Sequence, residues 1–252
     1  MQIRILVAAA ALAVCGLTTA QENAGPSNPY TLDSCPISGK KLGSMGDPVV
    51  KEVSGREVRF CCGGCVKSFE KNAADEFKKV DAKLATEQRR YYPLSECAVS
   101  GEALDPKNAG EAFVGNRLVL LCCDQCEDEL KEKPTEVLAR LDAAAVQAQS
   151  EAYPLSDCLV SGKKLGAMGK PHEVVLGGRL LKLCCQGCVP KIMKSPAKYL
   201  AVVDAAWEKV GFPGAFQARG HDGHDKDTKK HDGHEGHDHK GKEHDHSGHG
   251  KH

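Results

Sequence analysis

A cysteine pair followed, after two residues, by a third cysteine occurs three times in this chain, as FCCGGC, LCCDQC and LCCQGC, and each copy has a single cysteine 25 or 26 residues before its pair. Aligned on these thiols, YTLDSCPISGKKLGSMG from Tyr30, YPLSECAVSGEALD from Tyr92 and YPLSDCLVSGKKLGAMGKP from Tyr153 fall into register with a period of 61 to 62 residues. Self-similarity at such a period means that the 252 residues are built as an array of small units rather than around one large core. The low aromatic content, 5% with Trp207 the single tryptophan, fits an array.

Each repeat carries the same succession of local signals. A hairpin is predicted from VVKEV, Ser54-Gly55, REVRF; from EAFV, Gly115-Asn116, RLVLL; and from HEVVL, Gly177-Gly178, RLLKL. Two-residue turns of this kind need positive φ at their centre, which Gly and Asn tolerate. The second turn residue stands six positions before the cysteine pair in all three, so the thiols leave each hairpin at the same point. Helical periodicity follows, with Phe69, Phe77, Val80 and Leu84 in the first copy and Leu130, Val137, Leu138 and Leu141 in the second. Pro134 and Pro196 interrupt it, and Ser195 is placed to cap a fresh helix that starts at Pro196. The expected fold class is α+β: a knuckle, a β-hairpin, a short helix and a second helix, over 30–86, 92–145 and 153–207. Units this small bury too little apolar surface to fold comfortably unaided, and usually need a disulfide, a metal or a neighbour.

Four cysteines per unit meet that need in more than one way. The segments CPISG, CAVSG and CLVSG have the form of a zinc knuckle, C-x2-C-G, with serine where the second cysteine would be. Cys61 and Cys65 are four residues apart and Cys62 and Cys65 three, so either pair shares a helix face if the helix begins there. With an upstream cysteine delivered beside the hairpin, a site of three or four sulfurs results, and soft thiolates favour Cu(I) and Zn2+. A disulfide framework is the alternative, since an exported chain with an even number of cysteines per small module is the usual setting for staples. Against it, a vicinal pair cannot easily reach two separate partners from one strand end. Thiol redox exchange has the spacing Cys62-Gly63-Gly64-Cys65 but no thioredoxin-like βαβ context.

The residues also carry a family resemblance. Phe60, Cys61, Cys65 and Phe69 as F-C-x3-C-x3-F, and Leu183, Cys184, Cys188 and Ile192 followed by SPAKYL from Ser195, resemble the TRASH and YHS families of small metal-binding modules. Those families pair an upstream cysteine with a C-x3-C in a treble-clef-like fold, and occur in metal sensors, resistance proteins and copper-exporting ATPases. The resemblance covers residues 30 to 207 and implies that Cys35, Cys61 and Cys65, then Cys97, Cys122 and Cys126, then Cys158, Cys184 and Cys188 are metal ligands. The extra thiols Cys62, Cys123 and Cys185 stand outside the basic pattern and are included as further candidate ligands.

The two ends of the chain differ from the repeats. MQIRILVAAAALAVCGLTTAQ has one positive charge at Arg4, an apolar run too short to span a bilayer and small residues at Thr18 and Ala20, which reads as a secretory leader over residues 1–20. Cleavage after Ala20 removes Cys15; anchoring through Cys15 is the other reading. From Gly220 onward ten of the eleven histidines alternate with Asp, Glu and Gly: His221, His224, His231, His234, His237, His239, His244, His246, His249 and His252. This tail, 220–252, has nothing apolar to bury and is expected to be disordered. Imidazoles at this density are expected to bind Zn2+, Cu2+ or Ni2+. His172 stands alone near a strand start and reads as a surface histidine.

Charge is balanced at 34 basic and 34 acidic residues, so no bulk field draws the chain to nucleic acid or to an anionic membrane. No phosphate loop or nucleophile motif is present, and no carboxylate or imidazole set within the repeats would give a metal an organised open position and a base. The expectation is a periplasmic or secreted, non-enzymatic protein that sequesters, buffers or delivers soft or borderline metals. Its expected partners are metal ions and a metal transporter or another envelope protein. The alternative is a disulfide-stapled envelope interaction protein whose His tail alone binds metal.

Overall fold

The computed structural model describes residues 28–213, which form three β-hairpin and helix units in tandem. Residues 1–20, read above as a leader and carrying Cys15, and the tail with its ten histidines lie outside the described residues. In the first unit, strands β1 (Val49–Val53) and β2 (Arg56–Phe60) lead into α1 (Gly63–Lys71) and α2 (Ala73–Arg89). In the second, β3 (Gly110–Val114) and β4 (Arg117–Leu121) precede α3 (Gln125–Glu132) and α4 (Pro134–Gln149). The third has β5 (His172–Leu176), β6 (Arg179–Leu183), a 3-10 turn (Gln186–Cys188), α5 (Val189–Lys194) and α6 (Pro196–Val210). Each sheet is a single antiparallel pair, in the same register: Val53 faces Arg56, Val114 faces Arg117 and Leu176 faces Arg179.

All three hairpins fall where the turn signals put them. Gly177 and Gly178 both have positive φ, 53° and 83°, as do Ser54 at 49° and Gly55 at 74°. Ser54 is the one non-glycine among the described residues held in that region, at a steric cost glycine would not bear. The break between short and long helix is one non-helical residue, Asn72, Lys133 or Ser195, with Pro134 and Pro196 opening the helices that follow. Ser195 occupies the capping position as expected, but its side chain makes no capping hydrogen bond. The third short helix begins as a 3-10 turn because Pro190 has no N–H to give and its ring crowds the carbonyl four residues back.

One face of each hairpin packs on its own helices. Val53, Val58 and Phe60 bury against Phe69, Val80 and Leu84 in the first unit, and Leu176, Leu181 and Leu183 against Ile192, Val203 and Trp207 in the third. A repeated ion pair ties hairpin to long helix behind these cores. Arg56 donates to both oxygens of Asp81 at 3.1 and 2.6 Å, Arg117 pairs with Asp142 at 3.2 Å, and Arg179 donates to both oxygens of Asp204 at 3.0 Å.

In the second and third units the other hairpin face is covered by the preceding unit's long helix, through a buried glutamine key. Gln88 of α2 donates from Nε2 to the Asn116 carbonyl at 2.7 Å and accepts from the Leu118 N–H at 2.9 Å. Gln149 of α4 repeats this with the Gly178 carbonyl and the Leu180 N–H, both at 2.7 Å. The position that would continue the series is Gly211, just past the end of α6, so the third unit has no key to offer. Correspondingly, the outer face of the first hairpin carries Glu52, Glu57 and Arg59 where the second has Phe113, Leu118 and Leu120. An array of units with apolar internal contacts needs such polar end faces to stop. Arg59 donates instead to the carbonyls of Lys194 and Met193, both at 2.6 Å, at the C-terminal end of α5, where a cation is favoured. First and third units therefore touch, and each of the three contacts the other two. No helix among the described residues is long and apolar enough to cross a membrane.

Candidate metal centres

The fold delivers three sulfurs to one point in every unit. The upstream cysteine sits in a tight loop closed by the same two hydrogen bonds each time. Cys35 N–H donates to the Lys40 carbonyl at 2.8 Å and Gly39 N–H to the Cys35 carbonyl at 2.9 Å, with Cys97 and Gly101, then Cys158 and Gly162, repeating the pair. The loop can close because Gly39, Gly101 and Gly162 all have positive φ, between 68° and 80°. The second sulfur, Cys61, Cys122 or Cys184, leaves the end of the hairpin, and the third, Cys65, Cys126 or Cys188, rides the first helical turn. That turn is set by the same bond in all units: Cys65 N–H to the Cys62 carbonyl at 3.2 Å, Cys126 to Cys123 at 3.3 Å, Cys188 to Cys185 at 3.2 Å.

The result is three triads, Cys35–Cys61–Cys65, Cys97–Cys122–Cys126 and Cys158–Cys184–Cys188, whose sulfurs all lie within 4.8 Å of one another. Individual edges measure 3.7 Å for Cys61 to Cys65, 3.6 Å for Cys122 to Cys126, 3.7 Å for Cys184 to Cys188 and 3.8 Å for Cys158 to Cys188. Thiolates around one ion at a metal–sulfur distance of about 2.3 Å are separated by about 3.8 Å. The donor sets therefore fit a thiophilic ion with little movement. All twelve described cysteines are free thiols.

The serine that replaces the second knuckle cysteine has a role that sequence reasoning did not assign. Ser38 Oγ lies 3.2 Å from Cys61 Sγ, Ser100 Oγ 3.2 Å from Cys122 Sγ and Ser161 Oγ 3.2 Å from Cys184 Sγ. In each case the backbone N–H two residues on, at Lys40, Glu102 or Lys163, donates to the serine oxygen and orients the hydroxyl toward the thiols. The repetition of C-x2-S-G was visible in the sequence, but only the fold brings the hydroxyl against a sulfur 23 or 22 residues away.

These donors divide the protons unequally. Burial pushes the Cys35 thiol up, yet the Ser38 hydroxyl and the N–H groups of Cys61, Ser38 and Ile37 outweigh it and bring it down to about 6. Cys158 falls to about 6 for the same reasons, and Cys97 to about 7. Burial, together with neighbouring thiols that hold its proton, pushes Cys65, and likewise Cys126 and Cys188, up to about 12. One sulfur per triad is thus prepared to carry charge before any cation arrives.

Cys62, Cys123 and Cys185 lie beside the triads but are not members of them. Each approaches the site from the solvent side: Cys123 is exposed, and Cys62 and Cys185 are half-buried. His172 is half-buried at the first position of β5 and belongs to no triad. Among the described residues, the groups close enough to share one ion contain sulfur alone.

No protein-family model matches this chain, and neither does any curated protein or solved structure.

Proposed function

We propose that this chain is an exported, non-enzymatic metal-binding protein in which three TRASH- or YHS-like modules each hold one thiophilic ion and a histidine-rich tail gathers further ions. The observation that carries the reading is the threefold recurrence of one sulfur triad with the same serine hydroxyl and the same backbone donors around it. Such surroundings stabilise thiolates, and cations replace the protons those thiolates give up. Three sulfurs suit Cu(I), which is satisfied by two or three thiolates, better than Zn2+, which at a structural site takes four ligands. A catalytic zinc site would pair an open position with a base, and no carboxylate or imidazole among the described residues joins these sets. The leader over residues 1–20 supports a periplasmic or secreted location. There the protein would buffer or sequester Cu(I) or Zn2+ in the modules and Zn2+, Cu2+ or Ni2+ on the tail, and pass ions to a metal transporter or another envelope protein.

Native mass spectrometry of protein isolated from the exported compartment, with metal analysis and thiol titration alongside, tests this. The expected result is three thiolate-held ions per chain. A chain with no bound metal and no reactive thiol would replace this reading with the disulfide-stapled one.

A further inference from the structure

In every unit the vicinal thiol stands across an edge that it shares with the inner triad. The second unit displays this most fully. Cys122 and Cys126 form the common edge at 3.6 Å; Cys97 is the inner apex, and Cys123 the outer one at 3.8 Å from Cys122 and 3.4 Å from Cys126. In the first unit the edge is Cys61–Cys65 at 3.7 Å, with Cys62 3.7 Å from Cys65. In the third it is Cys184–Cys188 at 3.7 Å, with Cys185 3.9 Å from Cys184.

The two apices differ in access and in distance. Cys35, Cys97 and Cys158 are buried, whereas the outer apices are exposed or half-buried. The approach to two of them is left bare by glycine: a Cβ on Gly64 would come within 3.8 Å of Cys62 Sγ, and one on Gly187 within 3.7 Å of Cys185 Sγ. A closed four-sulfur site needs all its sulfurs about 3.8 Å apart. The outer sulfur does not belong to the set mutually within 4.8 Å, so inner and outer apices do not serve one ion together in this arrangement.

We propose that Cys62, Cys123 and Cys185 are exchange ligands through which soft ions enter and leave the triads, a role that rests on the metal-binding reading above. An ion presented by a small thiol carrier is first taken across the outer face, by Cys62 with Cys61 and Cys65; the metal–sulfur bonds to the carrier break as these form, and the protons these thiols give up go to the departing carrier thiolates or to water. The bond from the metal to Cys62 Sγ then breaks as the bond to Cys35 Sγ forms, while both sulfurs of the common edge stay attached. Cys35 enters as the thiolate, the released Cys62 sulfur leaves as a thiolate or takes a proton from water, and the ion keeps its oxidation state. Because one ligand changes at a time, the ion is never bare.

The test uses the reduced, metal-free full chain and Cu(I) supplied as its complex with a small thiol. Loading is followed in stopped flow by thiolate-to-copper absorption, release by transfer to a Cu(I) chelator, and equilibrium affinity by competition with that chelator. In the combined variant Cys62→Ser, Cys123→Ser and Cys185→Ser, loading and release should both slow about tenfold or more, as expected when a pre-positioned reactant is removed, with their ratio unchanged. The single variant Cys123→Ser, at an exposed position, guards against misfolding and should slow one third of the amplitude. Rates equal to those of the parent chain would overturn the proposal. So would weaker equilibrium binding with faster release, because the outer thiols would then be permanent fourth ligands. If the parent chain itself takes up no thiolate-bound copper, it is the metal-binding reading that has failed, and that outcome is seen before any variant is made.

Discussion

Ser38 Oγ lies 3.2 Å from Cys61 Sγ, at the place where a zinc knuckle would carry its second cysteine. The hydroxyl supplies a hydrogen bond to the thiols but no ligand, which leaves each site one sulfur short of a closed tetrahedron. Replacing Ser38 by Cys should supply the fourth sulfur and shift the first module toward Zn2+. Ser38→Ala should instead weaken metal binding at that module by about 10- to 100-fold, the usual cost of losing a hydrogen bond to a ligand. Competition titrations with Zn2+ and Cu(I) chelators measure both; equal selectivity in parent and Ser38→Cys would show that the fourth position is not reachable from residue 38.

The glutamine keys give a prediction about stability. Gln149→Leu removes the partner of the Gly178 carbonyl and of the Leu180 N–H, both enclosed between the second and third units. Two buried groups left unpaired should cost about 2 to 4 kcal/mol. Gln88→Leu should cost a similar amount at the first junction. Urea denaturation followed by circular dichroism reads the loss, and a change below ~0.5 kcal/mol would mean that water replaces the key without penalty.

Thiol reactivity in the metal-free chain should follow exposure and charge together. Cys62 and Cys123 are held below the ordinary thiol range by the N–H groups of Cys65 and Cys126, and Cys185 by the Cys184 thiol and the Gly187 N–H. The helix cysteines Cys65, Cys126 and Cys188 are buried and pushed up to about 12. With limiting iodoacetamide at neutral pH, Cys123 should be labelled first and the helix cysteines last, as read by peptide mass spectrometry. Early labelling of Cys126 would contradict the structure of the second site.

Tail and triads should part company on acidification. Histidine releases metal as it protonates, around pH 6.5, whereas thiolate sites hold Cu(I) to lower pH. A full chain saturated with metal should therefore shed its ions in two steps as pH falls, with the tail's share lost first. A single step would mean that one class of site holds everything.

Much of this architecture was legible because it rests on local rules repeated at one period. The turns at Ser54-Gly55, Gly115-Asn116 and Gly177-Gly178 and the proline-initiated helices at 134 and 196 are decided within a few residues of chain. Spacing pointed to an upstream cysteine meeting the helix thiols but left Cys61 and Cys62 both open, and it was the family resemblance that implied Cys35, Cys61 and Cys65, the set the fold brings together. What was not legible depends on placement across units. Gln88 and Gln149 look like solvent-facing helix residues until the next hairpin is laid over them, and Ser38 looks like a lost ligand until Cys61 arrives beside it. The pairs Arg56–Asp81, Arg117–Asp142 and Arg179–Asp204 do recur at the period and could have been found by aligning every column rather than the cysteines alone.

The polar end faces also set how such a protein can change in size. A further copy added before Tyr30 or after α6 would meet Glu57 and Arg59, or a helix end with Gly211 in place of glutamine, and would find no partner surface. A copy of the middle unit inserted between the second and third would find apolar hairpin faces and glutamine keys already waiting on both sides. Such an insertion would nonetheless part Arg59 from the Met193 and Lys194 carbonyls, so three is the number of units at which every one of these contacts closes.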